Sequence, residues 1–341
     1  MFTKATSTQS TSSLMKDFRL HIQDEFAQYE DAFAQALSSN HPLLSEVLNY
    51  IHTQRGKQLR PILTLLSAAI CRGVTSKTLQ TAVVLELTHT ASLVHDDVID
   101  NSPTRRGRNA VQQQWSNKIA ILTGDYILAK VISLLAEIRN TNILSIISNM
   151  SKSLTEGELL QLHAGHSMWI SEKQYYQIIE QKTAQLFAAC SEAGAASSGA
   201  TTRQTTALHN YGLHLGMCFQ IKDDILDYSD VEDLGKPTMN DIQDGKATLP
   251  LLISLQRATK EEAEVIRSKA EALASKLDSI NTFEAEQDIK SFVMRYEGIR
   301  YAQHEMEKHR KKAIEALAIF PHSKYKDSLI ALLDYAINRV K

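Results

Sequence analysis

Residues 79–100 read LQTAVVLELTHTASLVHDDVID. Leu79, Val83, Leu87, Ala91, Val94 and Val98 recur every three or four positions, the period of one helix face. The stripe ends in Asp96-Asp97-Val98-Ile99-Asp100, and a second apolar helical stretch ends in Asp223-Asp224-Ile225-Leu226-Asp227. Both ends read DDxxD. Positions i and i+4 share a helix face, so Asp96 and Asp100 point one way, as do Asp223 and Asp227. Clustered carboxylates repel one another and resist burial unless cations compensate them. Mg2+ takes carboxylate oxygens together with substrate phosphates. One DDxxD is commonly a solvated helix end; two, each closing an apolar helix, point to a metal-assisted site.

Working outward, helical periodicity dominates. It predicts helices over 15–38, 43–55, 61–72, 110–136, 141–168, 172–197, 202–228, 249–275, 282–318 and 323–340. No run alternates like a strand. Only 13 Gly and 6 Pro interrupt the chain, a low share for its 341 residues. Pro61 is placed to start a helix and Gly73 to end it. The polar stretch Ser229 to Thr248, with Gly235, Lys236, Pro237, Gly245 and Lys246, predicts a long binding loop or lid. No linker divides the chain, so the expectation is an all-α, single-domain helical bundle over 15–341, after a Ser/Thr-rich tail over 1–14.

Bulk properties exclude other classes. A net charge of -2 gives no global pull toward nucleic acid. Cys71, Cys190 and Cys218 are isolated and odd in number, which argues against a disulfide framework and suits a reducing cytoplasm. The most apolar run, Ile119 to Leu135, is broken by Gly124-Asp125-Tyr126 and by Lys130, and is read as a buried helix rather than a membrane span. Met1 to Ser13 lack the apolar centre of a secretory signal.

Cations follow the acids. Lys57 and Arg60 precede a predicted helix, Arg105-Arg106-Gly107 follows the first motif, Lys182-Thr183 lies in an Ala-rich helix, and Lys236 and Lys246 sit in the long loop. Singly, each is an ordinary surface charge. Together they suffice for two polyanions, one held through metal and one by direct contacts. His89 on an apolar helix is by default a satisfied core residue, and His163 with His166 lacks a further ligand.

The ordered set of motifs resembles the trans-type isoprenyl diphosphate synthases, the polyprenyl synthetases, over almost all of the chain after about residue 40. The residues that carry the resemblance are Gly56-Lys57 with Arg60-Pro61, Leu93 to Asp100 with Arg105-Arg106-Gly107, Gly124-Asp125-Tyr126, Lys182-Thr183-Ala184, Gly216 to Asp227, Gly235-Lys236-Pro237 and Asp244 to Thr248. The resemblance implies that Asp96, Asp97, Asp100, Asp223, Asp224 and Asp227 hold about three Mg2+ ions, with Mn2+ as a substitute, against an allylic diphosphate. Asp96, Asp100 and Asp223 would be the direct ligands. Arg105, Lys182, Lys246 and Lys236 would contact that diphosphate, with Thr183 and Gln220 lining the reacting centre. Lys57, Arg60, His89 and Arg106 would bind isopentenyl diphosphate. The implied partners are those two substrates and a second copy of the chain in a homodimer, with no nucleic acid and no stable membrane insertion.

Product length is implied by Ala91 and Ser92, five and four positions before Asp96 and so roughly one turn, about 5.4 Å, beneath it. In the family it resembles, aromatic residues there floor the pocket, so two small residues imply a deep shaft and a product longer than farnesyl; the other reading is that they only allow close helix packing, with Leu128, Val131 or a residue elsewhere closing the floor. The alternatives are a short-chain (farnesyl or geranylgeranyl) synthase, the catalytic subunit of a heteromeric synthase, a class I terpene cyclase, which would not need Lys57, Arg60 and His89, and a non-catalytic subunit, which would have lost acids or cations. One departure stands out: Arg55 precedes Gly56 where many relatives have a second glycine, which an unusual backbone angle there would penalise.

Overall fold

The computed structural model of the chain describes residues 18–164, 168–229, 239–275 and 281–339. Helices α1 (Gln23–Ala36), α2 (Pro42–Thr53) and α3 (Leu59–Ala69) lead into the long α4 (Ser76–Ile99). Thr75 opens α4 with a reciprocal cap: its Oγ1 accepts from the Thr78 amide at 3.2 Å, while the Thr78 hydroxyl accepts from the Thr75 amide at 3.1 Å. A two-stranded hairpin, β1 (Thr104–Arg105) and β2 (Arg108–Asn109), follows. Then come α5 (Val111–Gln114), α6 (Asn117–Ile138), α7 (Thr141–Ala164), α8 (Glu172–Ile179), a π-helical turn (Glu180–Ala184), α9 (Gln185–Ser197) and α10 (Thr202–Leu226). The C-terminal part holds α11 (Asn240–Gln243), α12 (Leu249–Arg257), α13 (Lys260–Ala274), α14 (Thr282–Arg295), α15 (Gly298–Ala316) and α16 (Lys324–Asn338).

The centre of the bundle is α9, packed against α3, α4, α7 and α10. Its Ala188, Ala189, Ala193 and Ala195 are buried and small, which lets neighbouring backbones close in. On α10, a Cβ at Gly216 would meet the Ala184 Cα at 2.5 Å, so this crossing admits only glycine. Close packing here fixes how the C-terminal ends of α4 and α10 lie relative to each other, and those ends carry the two acid motifs.

The predicted helices over 110–136, 249–275 and 282–318 each prove to be two, and the one over 15–38 is broken by a turn at 20–22. Ser116 starts α6 by accepting from the Ile119 amide at 3.3 Å, which separates it from α5. Thr259 and Glu262 form another reciprocal cap that begins α13 after a break at Ala258. Glu297, at φ 56°, divides α14 from α15. The hairpin is a strand pair that the alternation rule missed, because it is only two residues long on each side. Arg106 and Gly107 take φ 52° and 77°, the geometry of a tight hairpin turn.

The expectation of a buried helix over Ile119 to Leu135 is corrected. In α6, Ile121, Leu122 and Ile132 are 44%, 64% and 69% exposed. Only 28% of its most apolar window is buried in one chain, and the helix is long and apolar enough to cross a membrane by length and composition.

Two histidines link α10 to α15. His214 and His309 meet Nδ1 to Nδ1 at 3.0 Å, so one donates and the other accepts. Burial first, then His214 and Lys312, push His309 down to about 4. An unfolded histidine titrates at about 6.5. As pH falls from 6.5 to 4 the unfolded chain therefore takes up a proton that the folded chain refuses, and stability falls. Tm should drop between pH 7 and pH 4.5, and drop less steeply in His309→Gln. Equal slopes in thermal melts would remove the pair as the cause.

Candidate active site

Both acid motifs end on one cavity. It encloses about 780 Å³ and is lined by Asp100 from the end of α4, Gln220 and Asp224 from α10, Asp241, and Lys246 with Ala247 and Thr248 from the following loop. Met168, Ile170 and Ile178 supply apolar wall.

In the first motif the three acids have different surroundings. Asp97 is buried, and Arg105 Nε donates to its Oδ1 at 2.8 Å. Gln112 Nε2 ties the Asp97 and Ser102 carbonyls together, each at 2.7 Å, which anchors the hairpin to the motif. Asp100 is exposed toward the cavity. Asp96 lies near Glu158 of α7; burial and that neighbouring carboxylate push it up to about 6, against the pull of Lys182. Lys182 pairs with Glu158 at 2.5 Å and donates to Gln161 Oε1 at 3.1 Å. It stands on the π turn, whose wider coil re-aims side chains relative to a regular helix.

The next residue of that turn starts a chain of polar contacts. Thr183 Oγ1 donates to Gln220 Oε1 at 2.8 Å, and Gln220 Nε2 donates to Asp224 Oδ1 at 2.9 Å. Buried Tyr175 donates to Asp224 Oδ2 at 2.5 Å. Enclosure pushes Asp224 up to about 7 despite these donors. Asp227 accepts the amides of Asn240 and Asp241 at 3.0 and 3.1 Å, so it fixes the start of α11. That contact brings Asp241 to the cavity, where burial, Asp224 and Asp227 push it well above the usual carboxylate range. Asp223 pairs with Arg339 at 2.7 Å.

The donor set is all oxygen and short of positive charge, which suits a hard divalent cation. Among the described residues no three His, Cys, Asp or Glu side chains converge to hold an ion by themselves. The motifs are therefore no closed cage. One or two carboxylates per ion, completed by phosphate oxygens, is the arrangement Mg2+ commonly takes.

A much smaller cavity of about 50 Å³ lies beside the first motif, lined by Arg55, Glu86, His89, Asp97, Arg105 and Arg106 among others. Burial, then Arg60, Arg106 and Arg105, push His89 well down, so it is neutral. Burial raises Glu86 while Arg60, Arg106 and Arg55 oppose it. At Gly56 a Cβ would stand 2.6 Å from the Arg106 guanidinium, the flexible end of a long side chain, so a larger residue there would shift that arginine. Arg55 is not among the residues with positive φ, so the arginine in place of a glycine costs the loop nothing; the left-handed position is Gln58, at φ 53°. The Arg55 side chain lies 4.8 Å over the Phe33 ring and 2.9 Å from His52. Lys57 lies 5.5 Å over the Tyr335 ring, and Arg60 lies 5.2 Å over that of Phe187.

Of the sequence-predicted residues, Asp100, Gln220, Asp224 and Lys246 line the acid cavity and His89, Asp97, Arg105 and Arg106 the smaller cationic one, whereas Asp96, Asp223, Asp227, Lys57, Arg60, Lys182 and Thr183 line neither. Ala91 is fully buried and Ser92 half-buried, and neither lines the large cavity. Lys236 and His166 lie outside the described residues.

The family model for polyprenyl synthetase matches residues 41–285. The chain belongs to the polyprenyl synthetase family. It is accordingly a trans-prenyltransferase, of a metal-dependent family that uses isopentenyl and allylic diphosphates. The octaprenyl diphosphate synthase of Haemophilus influenzae is 35% identical over 304 residues, 89% of this chain and 90% of that one. Component 2 of the heptaprenyl diphosphate synthase of Bacillus subtilis is 33% identical over 316 residues, 92% and 88% of the two chains. A polyprenyl synthase from Caulobacter crescentus, solved with calcium and isoprenyl diphosphate, superposes with a TM-score of 0.87 at 31% identity, over 99% of this chain and 100% of that one.

Sequence reasoning missed Tyr175, Asp241, Glu158 and Glu86. Asp241 had a usable signal, an acid in the polar loop after the second motif. Tyr175, beside Tyr176 on an amphipathic helix, had none.

Proposed function

We propose that this polyprenyl synthetase condenses isopentenyl diphosphate head-to-tail with an allylic diphosphate to an all-trans product longer than farnesyl. One observation carries the reading: the two DDxxD ends share a cavity, and a cationic pocket adjoins it. Asp96, Asp100 and Asp223 would hold Mg2+, with Asp97, Asp224 and Asp227 supporting them. Bound Mg2+, about three ions with Mn2+ as a substitute, supplies neutralisation of charge on the leaving diphosphate.

The residues do the rest. Lys182 and Lys246 face the allylic diphosphate, and Lys57, Arg60, His89 and Arg106 seat isopentenyl diphosphate. Holding the substrates side by side lowers the entropic barrier. The allylic C–O bond breaks, the isopentenyl double bond attacks the resulting carbocation, and a proton is lost to the departing diphosphate. Thr183 and Gln220 line that centre, while Met168, Ile170 and Ile178 keep water from it. The length reading is supported by small Ala91 and Ser92 and by similarity to octaprenyl and heptaprenyl synthases.

The test is purified protein with Mg2+, labelled isopentenyl diphosphate and geranyl, farnesyl or geranylgeranyl diphosphate, followed by sizing of products. An all-trans product beyond farnesyl is expected. Cyclic hydrocarbon without incorporated label would overturn the reading in favour of a cyclase. No product from the chain alone would overturn the reading of a self-sufficient synthase and leave only a subunit of a two-component enzyme.

We also propose a cytoplasmic homodimer in which a second copy, rather than lipid, covers the exposed apolar face of α6. Leu122→Glu with Ile132→Glu should give a monomer by light scattering and leave α-helical content unchanged. A wild-type chain that is already monomeric at micromolar concentration would remove this proposal.

A further inference from the structure

Arg339 stands at the C-terminal end of α16, far in sequence from either acid motif. It is nonetheless a buried arginine, 7% exposed. Its guanidinium lies 3.8 Å over the ring of Phe219, donates from Nη2 to the Phe219 carbonyl at 2.9 Å, and donates from Nε to the Ala336 carbonyl at 3.3 Å. From that seat Nη2 reaches Asp223 Oδ1 at 2.7 Å. Phe219 and Asp223 are four residues apart, so they share one face of α10. The arginine therefore spans a single helical turn, held below by ring and carbonyl and engaging the carboxylate above.

The same end of α16 touches the cationic side as well. Tyr335, one turn earlier on α16, lies under Lys57. Phe219 stacks on Phe187 at 5.2 Å, and Phe187 lies under Arg60. A continuous run of cation and ring contacts thus extends from Arg60 to Asp223.

From this geometry we infer that Arg339 is a positioning residue for Asp223. It fixes Oδ1 and leaves Oδ2 for the metal. The inference rests on the metal reading above. Three anchors on Arg339 besides the carboxylate make it a fixed support rather than a rival cation that must leave. A half-exposed aspartate without it would sample several rotamers, and only some would hold an oxygen where a metal ion could take it. An outer partner that orients a ligating carboxylate is worth about 10- to 100-fold in metal affinity. Lysine cannot reproduce the fork that reaches both a carbonyl and a carboxylate.

The experiment measures Mn2+ binding by electron paramagnetic resonance in the presence of inorganic pyrophosphate, together with the Mg2+ dependence of turnover. In Arg339→Gln the Mn2+ Kd and the half-saturating Mg2+ concentration should rise about tenfold or more. At saturating Mg2+ kcat should return to within a few-fold of wild type. Arg339→Lys, which keeps the charge and guards against a simple folding failure, should fall between the two. Unchanged metal affinity with a lowered Tm would make the arginine merely structural. Tighter binding would make it a competitor. Either result overturns the inference while leaving the metal reading intact. If wild-type protein binds no Mn2+ with pyrophosphate, or Asp223→Asn binds it as well as wild type, the metal reading itself fails.

Discussion

Asp96→Asn should lower kcat/KM by about 10³-fold or more while leaving Tm unchanged or slightly raised. A metal clamp on a leaving group supplies several kcal/mol, and each 1.36 kcal/mol is about tenfold in rate. The substitution keeps size and shape and removes charge. In the folded chain that charge is unwelcome: burial and Glu158 push Asp96 up to about 6. A carboxylate raised above its unfolded value opposes folding once ionised, so at neutral pH its neutralisation relieves the fold. Lys182, which already pairs with Glu158, keeps its own partner. Loss of turnover without loss of stability therefore assigns Asp96 to chemistry rather than structure. Steady-state kinetics across a Mg2+ titration, beside a melting curve, decide it. A kcat/KM within tenfold of wild type would defeat the proposal that this motif holds the metal.

Much of the fold could be read from the chain because its signals are local. The stripe from Leu79 to Val98 gives α4 nearly whole, since one helix face is buried along its length. Helix breaks were harder. Thr259 and Glu262 form a cap, but the surrounding apolar residues continue in phase, and periodicity cannot see a change of axis. The exposed face of α6 was misjudged for a related reason: apolar composition does not say whether a helix is covered by its own chain or by another. At the site, the acids and cations were legible as types in order. Their partners were not. Nothing local tells that Tyr175 donates to Asp224, or that Arg339 reaches back to Asp223 across more than a hundred residues. Such contacts depend on how helices cross, and those crossings are set by residues such as Gly216 that carry no chemistry.

Ser92→Phe should shorten the product to farnesyl or geranylgeranyl length with little change in the rate of the first condensation. Ser92 and Asp96 are four apart on α4 and so share a face. A chain growing inward from the first motif would meet position 92 one turn down, roughly 5.4 Å. The Ser92 side chain is half-buried, and its hydroxyl is spent on its own helix, donating to the His89 carbonyl at 2.9 Å. Replacing it orphans no distant partner, and a half-buried position admits a ring more readily than a sealed one. Ala91 offers a contrast one position away. It is fully enclosed in the core, so Ala91→Phe must displace neighbours, at about 1–3 kcal/mol of overpacking. The pair of variants separates two meanings of a small residue. If smallness at 92 keeps a shaft open, Ser92→Phe melts near wild type and its products shorten. If smallness serves only helix packing, both variants melt early and whatever product forms keeps its length. Chromatographic sizing of labelled products, with melting curves for both proteins, distinguishes these outcomes, and full-length product from a stable Ser92→Phe would defeat the deep-shaft account.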